Sequence, residues 1–588
     1  MLRELYNSDK DSGSSTSTKP TGTTTEDSQT QEDLIELQKK EPRSSTKDIG
    51  PPPKGKCTKY LILSSIAVSV GSSAQFGWNI GVINQPQFII RPWINKTHHD
   101  MFGTHLSYVE LGWVWSSIVS IISIGGIIGA VMSNWMADHW GRKVSMLITN
   151  ISAFIAGGLF MLCKVINSHI VLFVARFIIG INVGINTALA PLYLAEVAPV
   201  NLRGTVASLH QLSITTSIML AMVIGHNKIL GDVDTWPFLL GVTVLPAVFQ
   251  LCVLPFCPES PKYLHRKHKS GVEKALQRLR GDNSWSYDMK QMEEEERKII
   301  FKVKFTDMFR KPLRWRLMLA CEMMLMQQFT GINGVTFYSA TLFEKDLKLP
   351  PWQAKLATII MAIVNVFVTI ASTLTVDKFG RKPLVIIGIS GMLISDILFV
   401  ICLVHRENPI AAYAAIVWAC TFVVSFCIGP GTIPWFFVSE IFHQNARAKG
   451  NAIAMVVQWV ANFIVGFTFL PLHNVFHEYT FIMFAGFSND RHDLAQLLLG
   501  SEYAEDSIRV RQFLVNNRPE VEVHPASFIF MREEIWVRLL AARTQQHEQL
   551  QNDLRRLPGR IFVLEEPKEL MMASGLPQDD CRYMSRSR

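Results

Sequence analysis

Eleven long apolar runs limit what this chain can become: residues 60–83, 109–135, 144–163, 170–195, 205–226, 236–257, 317–343, 352–376, 383–404, 410–437 and 450–476. A helix crosses the hydrocarbon core of a bilayer in about 20 residues, and each run is about that long or longer. A soluble protein with many buried helices would carry polar faces at helical spacing, which these runs lack. Composition agrees, since 48% of the residues are hydrophobic and only 18% are charged. The sequence predicts an all-α polytopic membrane protein whose first partner is the lipid bilayer.

The flanks set the expected topology. Residues 1–53 are rich in Ser, Thr and charge and poor in core-forming side chains, which predicts a disordered tail. No short apolar segment with a cleavage site opens the chain, so no removable signal peptide is expected. The stretch 258–316 holds sixteen Lys and Arg and should stay cytoplasmic. Six crossings separate it from the N-terminus, which is then cytoplasmic too. The first loop falls outside, where Asn95-Lys96-Thr97 is a glycosylation sequon. The net charge of +8 follows this topology instead of forming one surface, so no nucleic-acid partner is expected. Seven of nine cysteines sit in or at the ends of apolar runs without a Cys-x-x-Cys pair, which reads as inert buried thiols. Metal-ligand, P-loop and nucleophile-elbow motifs are missing from the sequence, so neither a metal, a cofactor nor an enzyme activity is expected.

Two motifs recur. "ADHWGRK" at 137–143 returns as "VDKFGRK" at 376–382, and "EVAPVNLR" at 196–203 returns as "EIFHQNAR" at 440–447. The offsets are 239 and 244 residues, which points to a duplicated six-helix unit with both copies in the same orientation. Arg142, Lys143, Arg381 and Lys382 stand at cytoplasmic helix ends beside a glycine suited to a tight reversal. Glu196 and Glu440, each seven residues before Arg203 or Arg447, end helices on that side. Acid and base at a membrane boundary pair where water screens them only partly, and such pairs are expected to lock the two bundles and break when they part. A plainer reading makes the bases positive-inside anchors, which leaves the recurring acids unexplained.

These repeats, with "PESPKYL" at 258–264 and "GPGTIPW" at 429–435, resemble the sugar porters of the major facilitator superfamily, and within them the facilitative glucose transporters. The resemblance runs from about residue 60 to 487. It implies a major facilitator fold of two six-helix repeats, with bundles over 54–257 and 317–487 and a cytoplasmic helical domain over 258–316. It also brings Glu259 into the set of gating charges, and it implies a plasma-membrane location. Within the helical domain, Ser270 and Glu273 form a capping-box pattern and Gly281 a helix stop.

A hexose is neutral, ringed by hydroxyls and faced with C–H groups, so its site calls for amides and an aromatic plane. The apolar runs supply Gln211, Gln327, Gln328, Asn333, Asn365, Trp435, Gln458 and Asn462. Amides in hydrocarbon are costly unless paired or lining a wet cavity; as helix–helix glue they would also be satisfied. The resemblance implies sugar contacts at Gln211, Gln327, Gln328, Asn333, Asn365, Trp435 and Asn462, with Trp459 as a further matching aromatic. Two positions depart from the family pattern. Cys427 replaces a Glu common before Gly-Pro-Gly, and Met324-Leu325-Met326 replaces the Gln-Leu-Ser of glucose-preferring members, which leaves glucose against fructose open.

A proton symporter needs an ionisable group in the path. Related symporters carry an Asp in the first helix; here "QFGWNIGVIN" places Asn79 there, which favours downhill transport. Glu322 in the seventh run is expected to reach the interface and pair there. The last apolar segment, "YTFIMFAGF", is nine residues long before "SNDRHDLAQ", so the twelfth helix is expected to be truncated. Residues 488–588 form a divergent tail with a helix candidate at 532–557 that could bind an unknown partner. A sugar-binding sensor or non-transporting variant is therefore the alternative to a carrier.

Overall fold

The computed structural model describes residues 55–281, 285–297, 304–310, 313–379, 381–442 and 444–489. The expectations for residues 1–53 and for the tail from residue 490, including 532–557, lie outside these. Every described element is helical. Before the linker come α1 (Lys59–Gly81), α2 (Gln87–Phe102), α3 (Tyr108–His139), α4 (Arg142–Val165), α5 (His169–Val197), α6 (Arg203–Ile224) and α7 (Trp236–Phe256). The linker carries α8 (Pro261–Arg266), α9 (Val272–Arg280) and α10 (Trp285–Arg297). After it come α11 (Leu313–Phe329), α12 (Ile332–Thr341), α13 (Pro351–Phe379), α14 (Arg381–Val404), α15 (Pro409–Ile428), α16 (Ile433–Ile441) and α17 (Gln444–Phe476).

Helix α14 shows why these elements need lipid. Ile387, Ile394, Ile397 and Ile401 are all about half exposed on one face, while Met392, Ser395 and Asp396 are buried on the other. An exposed apolar face backed by buried polar groups is stable only in hydrocarbon. Cys252, expected to be buried, is instead exposed on α7, because that side of the helix faces outward with Leu245, Val248 and Leu251.

Small residues bring α3 and α5 into backbone contact. A Cβ added at Gly125 or Gly129 would lie 2.3 Å from the carbonyl oxygen of Phe177 or Ile181, and one at Gly184 2.2 Å from that of Gly126. Glycines four apart on both helices thus permit the close crossing typical of membrane helices.

Two predicted runs do not form single helices. Run 317–343 breaks at Thr330–Gly331, where Gly331 takes φ 87°, a left-handed conformation that favours glycine. Run 410–437 breaks at "GPGT" between α15 and α16, where Pro434 lacks a backbone donor. The predicted capping box of α9 is also corrected. Gly271 at φ 102° is the N-cap and no side chain caps it, which leaves Ser270 outside the helix, whereas Gly281 ends it at φ 85°. After α17 the chain turns at His477, φ 48°, and residues 480–489 are helical. That stretch folds back on α17, with Phe481 and Phe484 rings 6.0 and 5.8 Å from Phe469.

Candidate functional site

The amides after the linker converge where the two helix breaks meet. Gln327 Nε2 donates to the carbonyls of Pro430 and Gly431, each at 3.1 Å. Those are backbone acceptors that the "GPGT" break has released from helical bonding. Gln328 lies at the centre of the group. Its Nε2 donates to Gln327 Oε1 at 3.5 Å, and its Oε1 accepts from Asn333 Nδ2 and, at 3.4 Å, from Asn462 Nδ2. Ser123 of α3 donates to Asn462 Oδ1 at 2.8 Å, so a helix from before the linker completes the cluster.

An aromatic wall stands beside it. Trp435, half-buried, meets Phe76 at 6.4 Å and His210 at 5.9 Å between ring centroids. Trp459 meets Phe76 at 5.7 Å and packs on α3, where a Cβ at Gly126 would lie 2.6 Å from the indole. Trp459 is therefore a packing residue between α17 and α3, though its Nε1 has no hydrogen-bond partner. Gln211 and Gln458 are buried at 9% and 1% exposure, and the Oε1 of each has no partner. Buried amide oxygens are normally bonded, so these two are open acceptors. Asn365 is placed apart: its Oδ1 accepts from Thr369 and from Cys427 Sγ at 3.1 Å. The departure at Cys427 thus sits against Asn365.

The charges expected to lock two bundles lie otherwise. Arg142 holds Glu196 through two bonds, Nε to Oε2 at 2.8 Å and Nη2 to Oε1 at 2.9 Å. Both residues belong to helices before the linker, so this pair fastens α4 to α5 and does not cross to the other side. Glu259 accepts from the backbone nitrogens of Arg142 and Lys143, both at 3.1 Å, placing a carboxylate at a helix N-terminus. Burial pushes the Glu259 carboxyl up from its ordinary value, against the pull of these donors and of Arg142. Lys143 Nζ donates to the carbonyls of Pro255 and Cys257. Gly141, at φ 91°, makes the reversal, and the Glu259 carboxylate would lie 2.6 Å from a Cβ there. Arg203 Nε is buried without a hydrogen-bond partner, and Glu196 is taken by Arg142 and Ser260. Arg381 and Lys382 open α14 as Arg142 and Lys143 open α4, and Arg447 is exposed in α17. The side chain of Glu440 lies outside the described residues.

Contacts between helices on either side of the linker include a set at the membrane face away from it, which sequence reasoning missed. Asn84 Nδ2 donates to Thr336 O at 2.6 Å and to Ser339 Oγ at 2.9 Å, and Thr341 donates to Gln87 Oε1 at 2.6 Å. On the linker side, Asn134 Nδ2 reaches Ala448 O at 3.5 Å. Asn79, buried, donates to Gln75 O and Thr243 Oγ1, both at 2.8 Å. Its backbone carbonyl accepts from the fully buried Arg176 at 2.8 Å. In sequence, Asn84 and Gln87 fall just past the first apolar run, 60–83, where polarity carries no signal. Asn95 is half-buried, and its Oδ1 accepts from Leu106 N at 2.8 Å.

The fold and the site together define a helical membrane protein with an uncharged, amide-lined cluster where broken helices meet. The family model "Sugar (and other) transporter" matches residues 64–489, and the chain belongs to that family, the sugar porters of the major facilitator superfamily; it is a membrane transporter by descent and not an enzyme. It is 41% identical over 444 residues to facilitated glucose transporter protein 1 of Caenorhabditis elegans, covering 74% of this chain and 87% of that one. It is 38% identical over 443 residues to the human solute carrier family 2, facilitated glucose transporter member 3, covering 74% and 88%. The fold matches the Escherichia coli xylose transporter XylE in a partially occluded inward-open conformation, with TM-score 0.62 and 23% identity over 74% of this chain and 98% of that one. It also matches XylE bound to 6-bromo-6-deoxy-D-glucose, with TM-score 0.62 and 24% identity over 74% and 94%.

Proposed function

We propose that this chain is a facilitative hexose transporter of the plasma membrane that moves sugar down its gradient by alternating access. The observation that carries the reading is the Gln327–Gln328–Asn333–Asn462 cluster with the open acceptors of Gln211 and Gln458. Amides that bond one another can exchange those bonds for sugar hydroxyls at little net cost. Trp435 offers a plane for the C–H face of the ring. Relatives named as facilitated glucose transporters support glucose or a close hexose as the substrate.

Two equivalent halves, 54–257 and 317–487, rock about this cluster. Asn84 and Gln87 hold the outer ends together and Asn134 the inner ends. Arg142, Lys143, Glu196 and Glu259 keep the cytoplasmic end of the first half rigid while it moves. By the repeat, Arg381, Lys382 and Arg447 have the same task in the second half, while Arg203 opens α6 in the first. The linker side is cytoplasmic, which puts the Asn95 sequon outside. Asn79 supports uniport, because an amide cannot carry a proton across. A millimolar dissociation constant, about −4 kcal/mol, suits a carrier that must release its cargo.

The non-transporting sensor remains the second reading, favoured by the short last segment and the divergent tail after 487 with its unknown partner. Tracer hexose uptake in proteoliposomes decides between them. Saturable uptake supports the carrier, and sugar binding without uptake supports the sensor.

A further inference from the structure

Asp396 is a group for which sugar binding leaves no task. It lies in "GMLISDILFV", fifteen residues after Arg381 and eight before Val404, or about 22 and 12 Å along α14 from its two ends. It is 3% exposed, and its Oδ2 makes no hydrogen bond. Among the described residues no Lys, Arg or His forms an ion pair with it. An unpaired carboxyl at this depth is costly as an anion and, by default, functional.

The carboxyl borders a cavity of about 10 Å³, room for about one water molecule. Ser339 and Phe343 close it from α12 and the turn that follows, Trp418 and Phe422 from α15, and Phe481 from the helical stretch 480–489. None of these titrates. The charged groups on the packed elements lie outside the lining. They are Arg381 and Lys382 at the far end of α14, His405, Arg406 and Glu407 just past its near end, Glu344, Lys345 and Asp346 after α12, and Glu478 before residue 480. Asp346 is paired with His473 at 2.9 Å and Glu478 with Arg406 at 3.3 Å.

Helix α12 is the wall that also meets Asn84. Gly331 separates it from α11 at φ 87°. Its Ser339 hydroxyl borders the cavity of Asp396 and also accepts from Asn84 Nδ2 at 2.9 Å. One hydroxyl therefore touches both the carboxyl's chamber and the contact between the two sides. Were α12 to leave Asn84, the part of the chamber wall that Ser339 forms would leave with it.

We propose that Asp396 is a proton-binding site coupled to the outer gate. The carboxyl is protonated while α12 lies against Asn84 and Gln87, and it releases its proton to external water when α12 moves away. Because the proton enters and leaves on the same face, external acid favours the closed gate and no proton accompanies the sugar. This rests on the carrier reading above.

The test uses the full chain in liposomes with a pH dye inside, measuring tracer glucose uptake at external pH from about 5.5 to 7.5. Wild type should lose several-fold in rate toward acid, Asp396→Asn should show a flat profile, and sugar should not move the dye. Identical profiles for wild type and Asp396→Asn overturn the site. A sugar-driven dye signal that Asp396→Asn abolishes overturns the gate-only role and the downhill reading together. Should Asp396→Asn fail to fold, chemical crosslinking of Gln87→Cys to Thr341→Cys reads the gate directly. These two face each other across the same contact and leave Asp396, Ser339 and Asn84 intact, and the yield at each pH is normalised to the reactivity of the same thiols in the unfolded chain. Yield should rise several-fold on acidification, and a pH-independent yield overturns the proposal. No uptake by wild type at any pH counts against the carrier reading alone, since crosslinking still decides the proton site.

Discussion

At the residue scale, the cluster around Gln328 makes the sharpest demands. Gln328→Ala removes the acceptor shared by Asn333 and Asn462, which at roughly 1–3 kcal/mol for unpaired buried groups is about a tenfold or greater loss of sugar affinity. Uptake at fixed surface expression checks this, and unchanged uptake would remove the site assignment. Arg142→Gln should act differently, lowering stability by roughly 1–3 kcal/mol because the half-buried Glu196 loses its counter-ion and keeps only Ser260. Thermal unfolding in detergent checks it; a loss of uptake with unchanged unfolding temperature would mean that the pair moves with transport instead of bracing one half. The amides were legible in the sequence because polar residues in long apolar runs require a reason. The partners were not. That Arg142 grips Glu196 inside one half, and that Glu259 caps α4, depends on packing that residue spacing alone leaves free. Asn84 was equally illegible, since in a loop an asparagine carries no signal until its neighbour is known.

At the element scale, the places of the apolar runs could be read from the sequence, but not that two of them break into shorter helices. "GPGTIPW" announces a break by its prolines, whereas the break at Gly331 lies in "QQFTGINGV", where two glycines compete, both packed against phenylalanine rings (Phe484 and Phe469), and only the first takes a positive φ. The capping box at Ser270 failed because a glycine one residue later took the cap position in a left-handed conformation. The contact of α3 with α17 offers a direct test. Gly126→Val would drive a side chain into Trp459, forcing apart helices from either side of the linker, and should reduce uptake at least tenfold. Gly158→Val, with nothing within 4 Å of its Cβ, should stay within about 0.5 kcal/mol of wild type in stability and transport normally. Equal effects at both positions would show that the α3–α17 contact has no role in transport.

At the scale of the whole molecule, the repeats at offsets of 239 and 244 residues predict two related units, the plan on which the proposed transport cycle rests. What the plan left open is which bonds form between the units and which within them. In the structure, neutral amides and hydroxyls bridge them at Asn84, Gln87, Ser123 and Asn134, and the Arg142–Glu196 pair stays inside one. Neutral bridges break with little electrostatic penalty, as repeated cycling of a carrier requires. The most direct measurement is sugar counterflow: liposomes holding the purified chain are loaded with unlabelled glucose and diluted into tracer, with pH equal on both sides and a protonophore present. Transient accumulation of tracer above equilibrium is the expected result, since exchange through an alternately exposed neutral site needs no ion gradient. Binding of tracer without that overshoot, or an overshoot that appears only when a proton gradient is imposed, would contradict it.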